Sequence, residues 1–185
     1  YELATIISSG MKRMFEDGEN VFYYITTMNE NYVHPDMPAS VEEGIVRGLY
    51  PLKKSTKKGK KRVQLMSAGT IMREVEAAAV ILEKDYGVAA DIWSMTSVNE
   101  LARDGHKVSR RNMMNPAEEP EVPYVTQCLA PTEGPIIAAT DYIRAHTNQI
   151  REFMPRSFTV LGTDGFGRSD TRAQLREFFE VDRHL

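Results

Sequence analysis

The first forty residues combine a helical pattern, a continuous apolar run and a polar stretch. VFYYITTM, residues 21–28, is uninterrupted and rich in aromatic and β-branched residues, which is typical of a parallel strand buried on both faces. NENYVHPDMP, residues 29–38, is polar and contains two prolines, so we expect a linker and a domain boundary there. Ahead of both, an amphipathic helix ending in EDGEN is predicted by apolar residues at helical spacing: Leu3, Ile6, Ile7, Met11 and Met14.

From Val63 onward, apolar segments of strand length alternate with segments of helical periodicity. Helices are predicted around residues 71–86, 97–102, 143–154 and 171–179, whereas residues 103–121 show no regular pattern. Strands separated by helices imply right-handed crossovers. We therefore predict an α/β fold, a three-layer α/β/α arrangement around a mostly parallel five-stranded sheet, preceded by one helix and one strand. The predicted strands of the sheet are RVQLMSAG (62–69), AADIWSMTS (89–97), VPYVTQCLA (122–130), PIIAATD (135–141) and SFTVLGTD (157–164).

Three short spacings predict where helices begin. In a capping box, a Ser or Thr and a Glu or Gln three residues later satisfy each other's free backbone donors. The pairs are Ser40 with Glu43, Ser97 with Glu100, and Thr171 with Gln174. Ligands of α/β sheets gather beyond the carboxyl ends of the strands, so a site is expected near SAGT, MTSVNE, TDY and TDGFGRSD.

Composition narrows the classes of function. The 185 residues carry a formal net charge of −3, which argues against nucleic acid and anionic membranes as partners. Cys128 is the single cysteine, so an internal disulfide or a C-x-x-C motif is excluded and a cytoplasmic location is the default. No apolar run approaches the length of a membrane helix. The sequence begins with Tyr1, and we expect it to be part of a longer polypeptide.

The lysine-rich stretch KKSTKKGKKR, residues 53–62, has two interpretations. It could contact a nucleic acid or an acidic partner, or it could be a solvated connection whose charges oppose aggregation. Because the chain is net negative and no aromatic residues interrupt the stretch, we favour the solvated connection.

GTDGFGRSD, residues 162–170, has the glycine content of a phosphate loop but not its spacing. Its three glycines match neither the dinucleotide nor the nucleoside triphosphate fingerprint, so an anchoring turn is the better interpretation. Gly165 or Gly167 can take a positive φ there, and Arg168 and Asp170 can pair with each other or with a partner. Asp164 and Asp170 could act as acid and base, but such residues are usually turn formers and caps.

The sequence contains no recognisable complete set of catalytic residues. The four histidines and the cysteine lack metal-ligand spacing, and no G-x-S-x-G elbow occurs. His146 is expected to be a core residue and His106 an exposed loop residue. Tyr32, in the polar linker, has a hydroxyl that could donate to a ligand oxyanion.

Several stretches together resemble one enzyme family over residues 1–185. They are NVFYYITTMNENYVHPDMP, SMTSVNELARDG and VLGTDGFGRSDTRAQLREFFEVD, with VPYVTQ and AATDYI in order between the last two. The chain is similar to the homodimeric type of pyruvate dehydrogenase, the decarboxylating component of its complex. The resemblance implies that residues 1–40 close the pyrimidine-binding central domain, and that residues 41–185 form a transketolase-like C-terminal domain.

The resemblance also implies an activity, cofactors and partners. The activity is thiamine-diphosphate-dependent oxidative decarboxylation of pyruvate, with acetyl transfer to the lipoyl group of the dihydrolipoamide acetyltransferase core. The family works as a homodimer, and upstream domains would bind thiamine diphosphate and Mg²⁺, because the family's G-D-G motif does not occur in this sequence. We therefore expect these 185 residues alone to be inactive. The alternatives are a stand-alone α/β binding or dimerisation module, and a transketolase-type enzyme acting on another 2-oxo acid.

Two catalytic positions carry over from the family. Tyr32 matches a tyrosine that hydrogen-bonds the pyruvate-derived adduct. Glu74 occupies a position where well-known members carry a histidine facing that adduct. A carboxylate near an anionic adduct would repel it unless protonated or paired, and Glu74 is alternatively an ordinary residue of a helix first turn.

Overall fold

A five-stranded sheet organises the chain. The computed structural model describes residues 1–57 and 61–184, so residues 58–60 of the predicted lysine-rich connection lie outside the described residues. The strand order is β1-β3-β2-β4-β5, with β1 antiparallel to β3 and the other neighbours parallel. The strands are β1 (Tyr50–Lys53), β2 (Arg62–Ser67), β3 (Ala89–Ser94), β4 (Ile136–Ala139) and β5 (Phe158–Leu161).

Helices cover both faces of this sheet. In β2, Val63 and Leu65 pack toward α3 and the C-terminal segment, whereas Met66 packs toward α4 and α5. Both faces are therefore buried, and the predicted three-layer α/β/α arrangement is confirmed. The α-helices are α1 (Glu2–Met11), α2 (Glu42–Arg47), α3 (Met72–Asp85), α4 (Val98–Met114), α5 (Tyr124–Leu129), α6 (Arg144–Asn148) and α7 (Arg172–Phe178). The described residues also include a π-helical segment, Lys12–Glu16, and 3-10 segments at Gly69–Ile71 and Arg151–Phe153.

One predicted strand of the sheet is a helix. VPYVTQCLA forms α5. Val125 and Leu129 are four residues apart, so they lie on the same face of the helix, and both are completely buried. The backbone N–H of Tyr124 donates to Asp104 Oδ2 at 2.6 Å, which satisfies a free donor at the helix start. The fifth strand is instead β1, an edge strand whose proline is tolerated because an edge leaves donors unpaired.

The strand predicted for residues 21–28 is also wrong. Residues 17–40 form no helix or strand, and Phe22 and Tyr24 are each 88% exposed. A strand requires neighbours for its backbone hydrogen bonds, and among the described residues this segment pairs with none. Its apolar character alone therefore does not determine its conformation.

Helix boundaries depart from expectation where tertiary contacts intervene. The stretch predicted as irregular continues α4 to Met114. Within it, Gly105 lets the Phe153 ring pack closely against the helix, since a Cβ would lie only 2.3 Å from a ring carbon. The helix predicted for residues 143–154 is instead split into α6 and a 3-10 turn. Ser97 caps α4 by accepting from the Glu100 N–H, as predicted. Ser40 caps nothing, since it has φ 59° and α2 begins after Val41.

A buried polar group connects the central strands near their amino ends. Gln64 is fully buried, donating to Asp91 Oδ2 at 3.0 Å and accepting from Trp93 Nε1 at 2.8 Å. Asp91 also accepts from Arg62 Nη1 at 2.6 Å and from the Ser55 N–H at 2.9 Å. Burial raises the pKa of Asp91, but the hydrogen bonds that it accepts outweigh burial and lower the pKa below its usual 3.8.

We expect Asp91→Asn to lower the free energy of unfolding by about 1–3 kcal/mol, because Arg62 loses its counter-charge. The folded-state pKa of Asp91 lies below the unfolded one, so its stabilisation is present above the unfolded pKa and is lost as pH falls through the folded pKa. The difference between wild type and variant in urea unfolding should therefore be smaller at about pH 3 than at about pH 7. Asp85→Asn, at an exposed position, is the control, and equal stability of wild type and Asp91→Asn at neutral pH would contradict the role.

Candidate functional site

The carboxyl ends of β2, β4 and β5 meet beneath the linker. Thr70 follows β2, Asp141 follows β4 and Thr163 follows β5, and α7 lies beside them. Seven charged side chains contact one another here, and we call them the charge cluster: Glu30, Arg73, Glu74, Asp141, Arg172, Arg176 and Arg183. Charged side chains from several distant segments therefore meet at the edge of the sheet where a site is expected.

Arg176 lies at the centre of the charge cluster. Its side chain is only 8% exposed. Its guanidinium lies 3.5 Å from Glu74, 3.7 Å from Asp141 and 3.9 Å from Glu30, measured between nearest nitrogen and oxygen atoms. It also donates to Thr70 Oγ1 at 3.2 Å. A buried cation requires such compensation, so Arg176 holds three separate elements together.

Glu74 is paired. It stands in the first turn of α3, 13% exposed, and accepts two hydrogen bonds from Arg183, at 2.7 Å from Nε and 2.9 Å from Nη2. The hydrogen bonds from Arg183 lower the pKa of Glu74 below its usual 4.5, although burial opposes this. The side chain is therefore an ionised carboxylate whose charge is neutralised by arginines, and it is not a proton donor at neutral pH.

The linker is attached to the charge cluster through Glu30. The Glu30 carboxylate, 17% exposed, accepts from Arg73 Nη1 at 2.5 Å and lies 3.2 Å from Arg172 Nη1. Arg172 Nη2 also donates to Asn29 Oδ1 at 3.1 Å. These contacts join the linker to both α3 and α7.

Tyr32 stands next to this attachment. Its ring is half-buried and stacks on His34 with centroids 4.6 Å apart, and the Arg73 guanidinium lies 5.4 Å from its centre. Among the described residues, its hydroxyl has no hydrogen-bond partner and can therefore meet a ligand. Arg73, whose guanidinium faces the Tyr32 ring, is adjacent to Glu74 in the first turn of α3.

The GTDGFGRSD turn is an anchor, in line with the preferred interpretation. Gly165 takes φ 106°, whereas Gly167 does not have a positive φ. Asp164 accepts from the Arg144 N–H at 2.8 Å and Nε at 2.6 Å, and these hydrogen bonds lower its pKa below 3.8. Asp170 accepts from the Thr171 N–H at the start of α7, and the Arg168 guanidinium lies 4.0 Å from the Phe178 ring centre instead of pairing with Asp170. The two aspartates are thus turn and cap residues here, not an acid and base pair.

The histidines lie apart. His146 is half-buried and not a core residue, and His106 lies on α4, not in a loop, 3.4 Å from Glu152.

Within residues 1–57 and 61–184, no group of three or more His, Cys, Asp or Glu side chains could hold a metal ion. The carboxylates of the charge cluster are engaged by arginines. In the same ranges, no helix combines the length and apolarity that crossing a bilayer requires.

Comparisons with known proteins identify both segments of the chain. A family model described as the transketolase-like C-terminal domain matches residues 48–182, and one described as the pyruvate dehydrogenase E1 component middle domain matches residues 1–35. The pyruvate dehydrogenase E1 component of Cupriavidus necator is 54% identical over 185 residues, which is 100% of this chain and 21% of that protein. That of Escherichia coli (strain K12) is 50% identical over 184 residues, which is 98% of this chain and 20% of that protein. The resemblance found in the sequence is confirmed, and the chain spans about a fifth of the length of these relatives.

Solved structures confirm the fold. A transketolase from Campylobacter jejuni superimposes with a TM-score of 0.50 at 21% identity, covering 75% of this chain and 17% of that one. A transketolase from Pichia stipitis gives a TM-score of 0.50 at 18% identity, covering 81% of this chain and 18% of that one. These similarities concern the fold alone.

We expect Glu74→Gln to lower the free energy of unfolding by about 1 kcal/mol, since the amide accepts from Arg183 without a charge. The value is small because Arg183 is 44% exposed and solvent screens the pair. Urea unfolding of the variant beside Glu177→Gln, an exposed position on α7, measures the difference. If both variants were as stable as wild type, Glu74 would contribute nothing through this pair.

Proposed function

Because this chain belongs to the family of transketolase-like C-terminal domains, whose model matches residues 48–182, we propose that it is the C-terminal portion of a pyruvate dehydrogenase decarboxylating component. The observation that carries the proposal is the 54% identity to a pyruvate dehydrogenase E1 component over all 185 residues. The whole protein would catalyse oxidative decarboxylation of pyruvate with acetyl transfer to a lipoyl group. Solved transketolases share only the fold at 21% identity or less, so a transketolase-type reaction is less well supported.

The domain division follows the same proposal. Residues 1–40 would end the central domain and lead out of it, and residues 41–185 would form the transketolase-like C-terminal domain. The two family matches, 1–35 and 48–182, fall on either side of this division. The exposed aromatic side chains of the first segment, such as Phe22 and Tyr24, would then be available for contacts with the rest of the central domain.

Tyr32 and the charge cluster would form one wall of the substrate site. The Tyr32 hydroxyl would donate to the oxygen of the pyruvate-derived group, and Glu30 and Arg73 would hold the linker that carries it. Glu74 would stay ionised and paired with Arg183, so its charge would not repel an anionic adduct as an unpaired carboxylate would. Its role would be to fix α3 against the C-terminal segment.

The cofactors and partners belong to the complete protein. Thiamine diphosphate, which supplies the electron sink when bound, and Mg²⁺ would be held by residues outside this chain. The protein would work as a homodimer in the cytoplasm and pass its acetyl group to the dihydrolipoamide acetyltransferase core. These 185 residues would be inactive alone.

We expect the full-length protein, supplied with thiamine diphosphate and Mg²⁺, to decarboxylate pyruvate with a higher kcat/KM than 2-oxobutyrate or hydroxypyruvate. Reduction of an artificial electron acceptor measures each rate. The isolated 185 residues should show no turnover with any of the three. A preference for hydroxypyruvate with a sugar phosphate acceptor would instead support the transketolase-type alternative.

We expect Tyr32→Phe in the full-length protein to lower kcat through the loss of one buried hydrogen bond to the reacting group, about 1–3 kcal/mol of transition-state stabilisation. Steady-state kinetics with pyruvate measure the loss, and thermal unfolding shows that the fold is kept. Tyr86→Phe, 69% exposed after the last turn of α3, is the matched control. Unchanged turnover in Tyr32→Phe would reject the role.

A further inference from the structure

Residues 17–40, which we call the connecting segment, are held in place by side chains. They form no helix or strand, and within the described part of the chain residues 22–40 make no backbone–backbone hydrogen bond. Conformational entropy opposes the ordering of such a segment. Its position therefore depends on its side-chain contacts. The ion pairs of Glu30 supply one of these, and two more lie within four residues of it.

The hydroxyl of Tyr142, in the loop after β4, makes the first additional contact. It lies at hydrogen-bond distance, 2.5 Å, from Thr26 Oγ1. The backbone of Tyr142 is itself fixed, since its N–H donates to Thr140 Oγ1 at 3.1 Å and its carbonyl accepts from the Thr163 N–H at 3.0 Å. Gly162 permits this close approach, because a Cβ there would lie only 2.8 Å from the Tyr142 carbonyl oxygen. Tyr142 therefore holds the connecting segment against the carboxyl edge of the sheet.

The guanidinium of Arg172, the first residue of α7, makes the second. Its Nη2 donates to Asn29 Oδ1 at 3.1 Å, and its Nη1 lies 3.2 Å from Glu30 Oε2. One rigid planar group thus contacts two consecutive residues of the connecting segment. The helix start that carries it is capped, because Thr171 Oγ1 accepts from the Gln174 N–H at 3.4 Å. Arg172 therefore holds the segment from a fixed point on α7.

The contacts come from three separate elements, and this determines what they can fix. A segment attached only through the ion pair of Glu30 with Arg73 could still rotate about that pair. The contacts at Thr26 and Asn29, made from the loop after β4 and from α7, oppose this rotation, because three points of attachment define an orientation as well as a position. All three contacted residues lie within six positions of Tyr32. The direction of the Tyr32 side chain therefore depends on them.

From this arrangement we propose that Tyr142 and Arg172 are positioning residues, which keep the Tyr32 hydroxyl within reach of the reacting group. Neither residue contacts that group, and both act through the connecting segment. The inference rests on the catalytic role proposed for Tyr32 and extends it to the loop after β4 and to α7. A displacement of about 1 Å can lower a rate by about a hundredfold. Loss of either contact should therefore lower kcat.

The test measures steady-state kinetics of the full-length protein with pyruvate, thiamine diphosphate and Mg²⁺. Tyr142→Phe keeps the ring and removes the hydroxyl that contacts Thr26. We expect kcat to fall about three- to tenfold, the change that one lost hydrogen bond produces, with KM within about twofold of wild type. Thr26→Val removes the other half of the same hydrogen bond, so the double variant should be no slower than the slower single variant. Arg172→Gln should lower kcat about tenfold, because a charged hydrogen bond is lost.

The same variants in the Tyr32→Phe background separate positioning from general support of the fold. Without the Tyr32 hydroxyl there is no group left to position. Tyr142→Phe and Arg172→Gln should then each lower kcat by less than about twofold further. A residue that only supports the fold would lower kcat equally in both backgrounds.

Tyr86→Phe and Arg103→Gln make the same chemical changes at exposed sites, and both should keep wild-type kcat. Unchanged kcat in Tyr142→Phe or Arg172→Gln, or an equal fall with and without the Tyr32 hydroxyl, would overturn the inference while leaving the role of Tyr32 intact. Full turnover in Tyr32→Phe itself would instead reject that role, and the inference with it.

Discussion

The burial of one cation, Arg176, constrains the whole carboxyl edge of the sheet. At 8% side-chain exposure its guanidinium is largely removed from water, and the desolvation must be offset by anions at short range. The three carboxylates that do this come from the linker, from α3 and from the end of β4. Because each carboxylate comes from a different element, the burial of this one cation couples the linker, α3 and the end of β4 to α7.

This constraint explains the glutamate at position 74. A histidine there could not neutralise two arginines, whereas a carboxylate accepts both hydrogen bonds of Arg183 and lies 3.5 Å from Arg176. Arg183 follows α7 in the chain, so Glu74 secures the same C-terminal segment that carries Arg176.

Periodicity predicted the centre of the fold and failed at its margins. The strands β2 to β5 and the helix α3 could be predicted, because continuous apolar runs are typical of buried strands and a 3.6-residue repeat is typical of a helix. VPYVTQCLA was ambiguous, since a short apolar run fits a buried helix as well as a strand, and the edge strand Tyr50–Lys53 was hidden beside the lysine run. α4 continues past Gly105, where the Phe153 ring packs against the helix, a contact between distant residues that no local pattern contains.

The candidate site was less predictable, for a different reason. Tyr32 and Glu74 were found through motifs, but Glu30, Arg176 and Arg183 were not, because charged residues in isolation indicate only solvent exposure. Arg183 and Glu74 are 109 residues apart, and their pairing follows from the sheet order rather than from any local spacing. One signal for the burial of Arg176 was available in the sequence. It is a charged residue in a predicted helix, and the apolar residues Leu175 and Phe179 flank it.

Placing the linker through ion pairs has a physical consequence for Tyr32. An apolar attachment would tolerate small shifts, whereas the contact between Glu30 and Arg73 at 2.5 Å is directional and fixes the backbone two residues before the tyrosine. Arg73 and Glu74 are adjacent on α3, so the helix that holds Arg183 also holds the linker. The position of the Tyr32 hydroxyl therefore depends on the packing of α3 and α7 against the sheet.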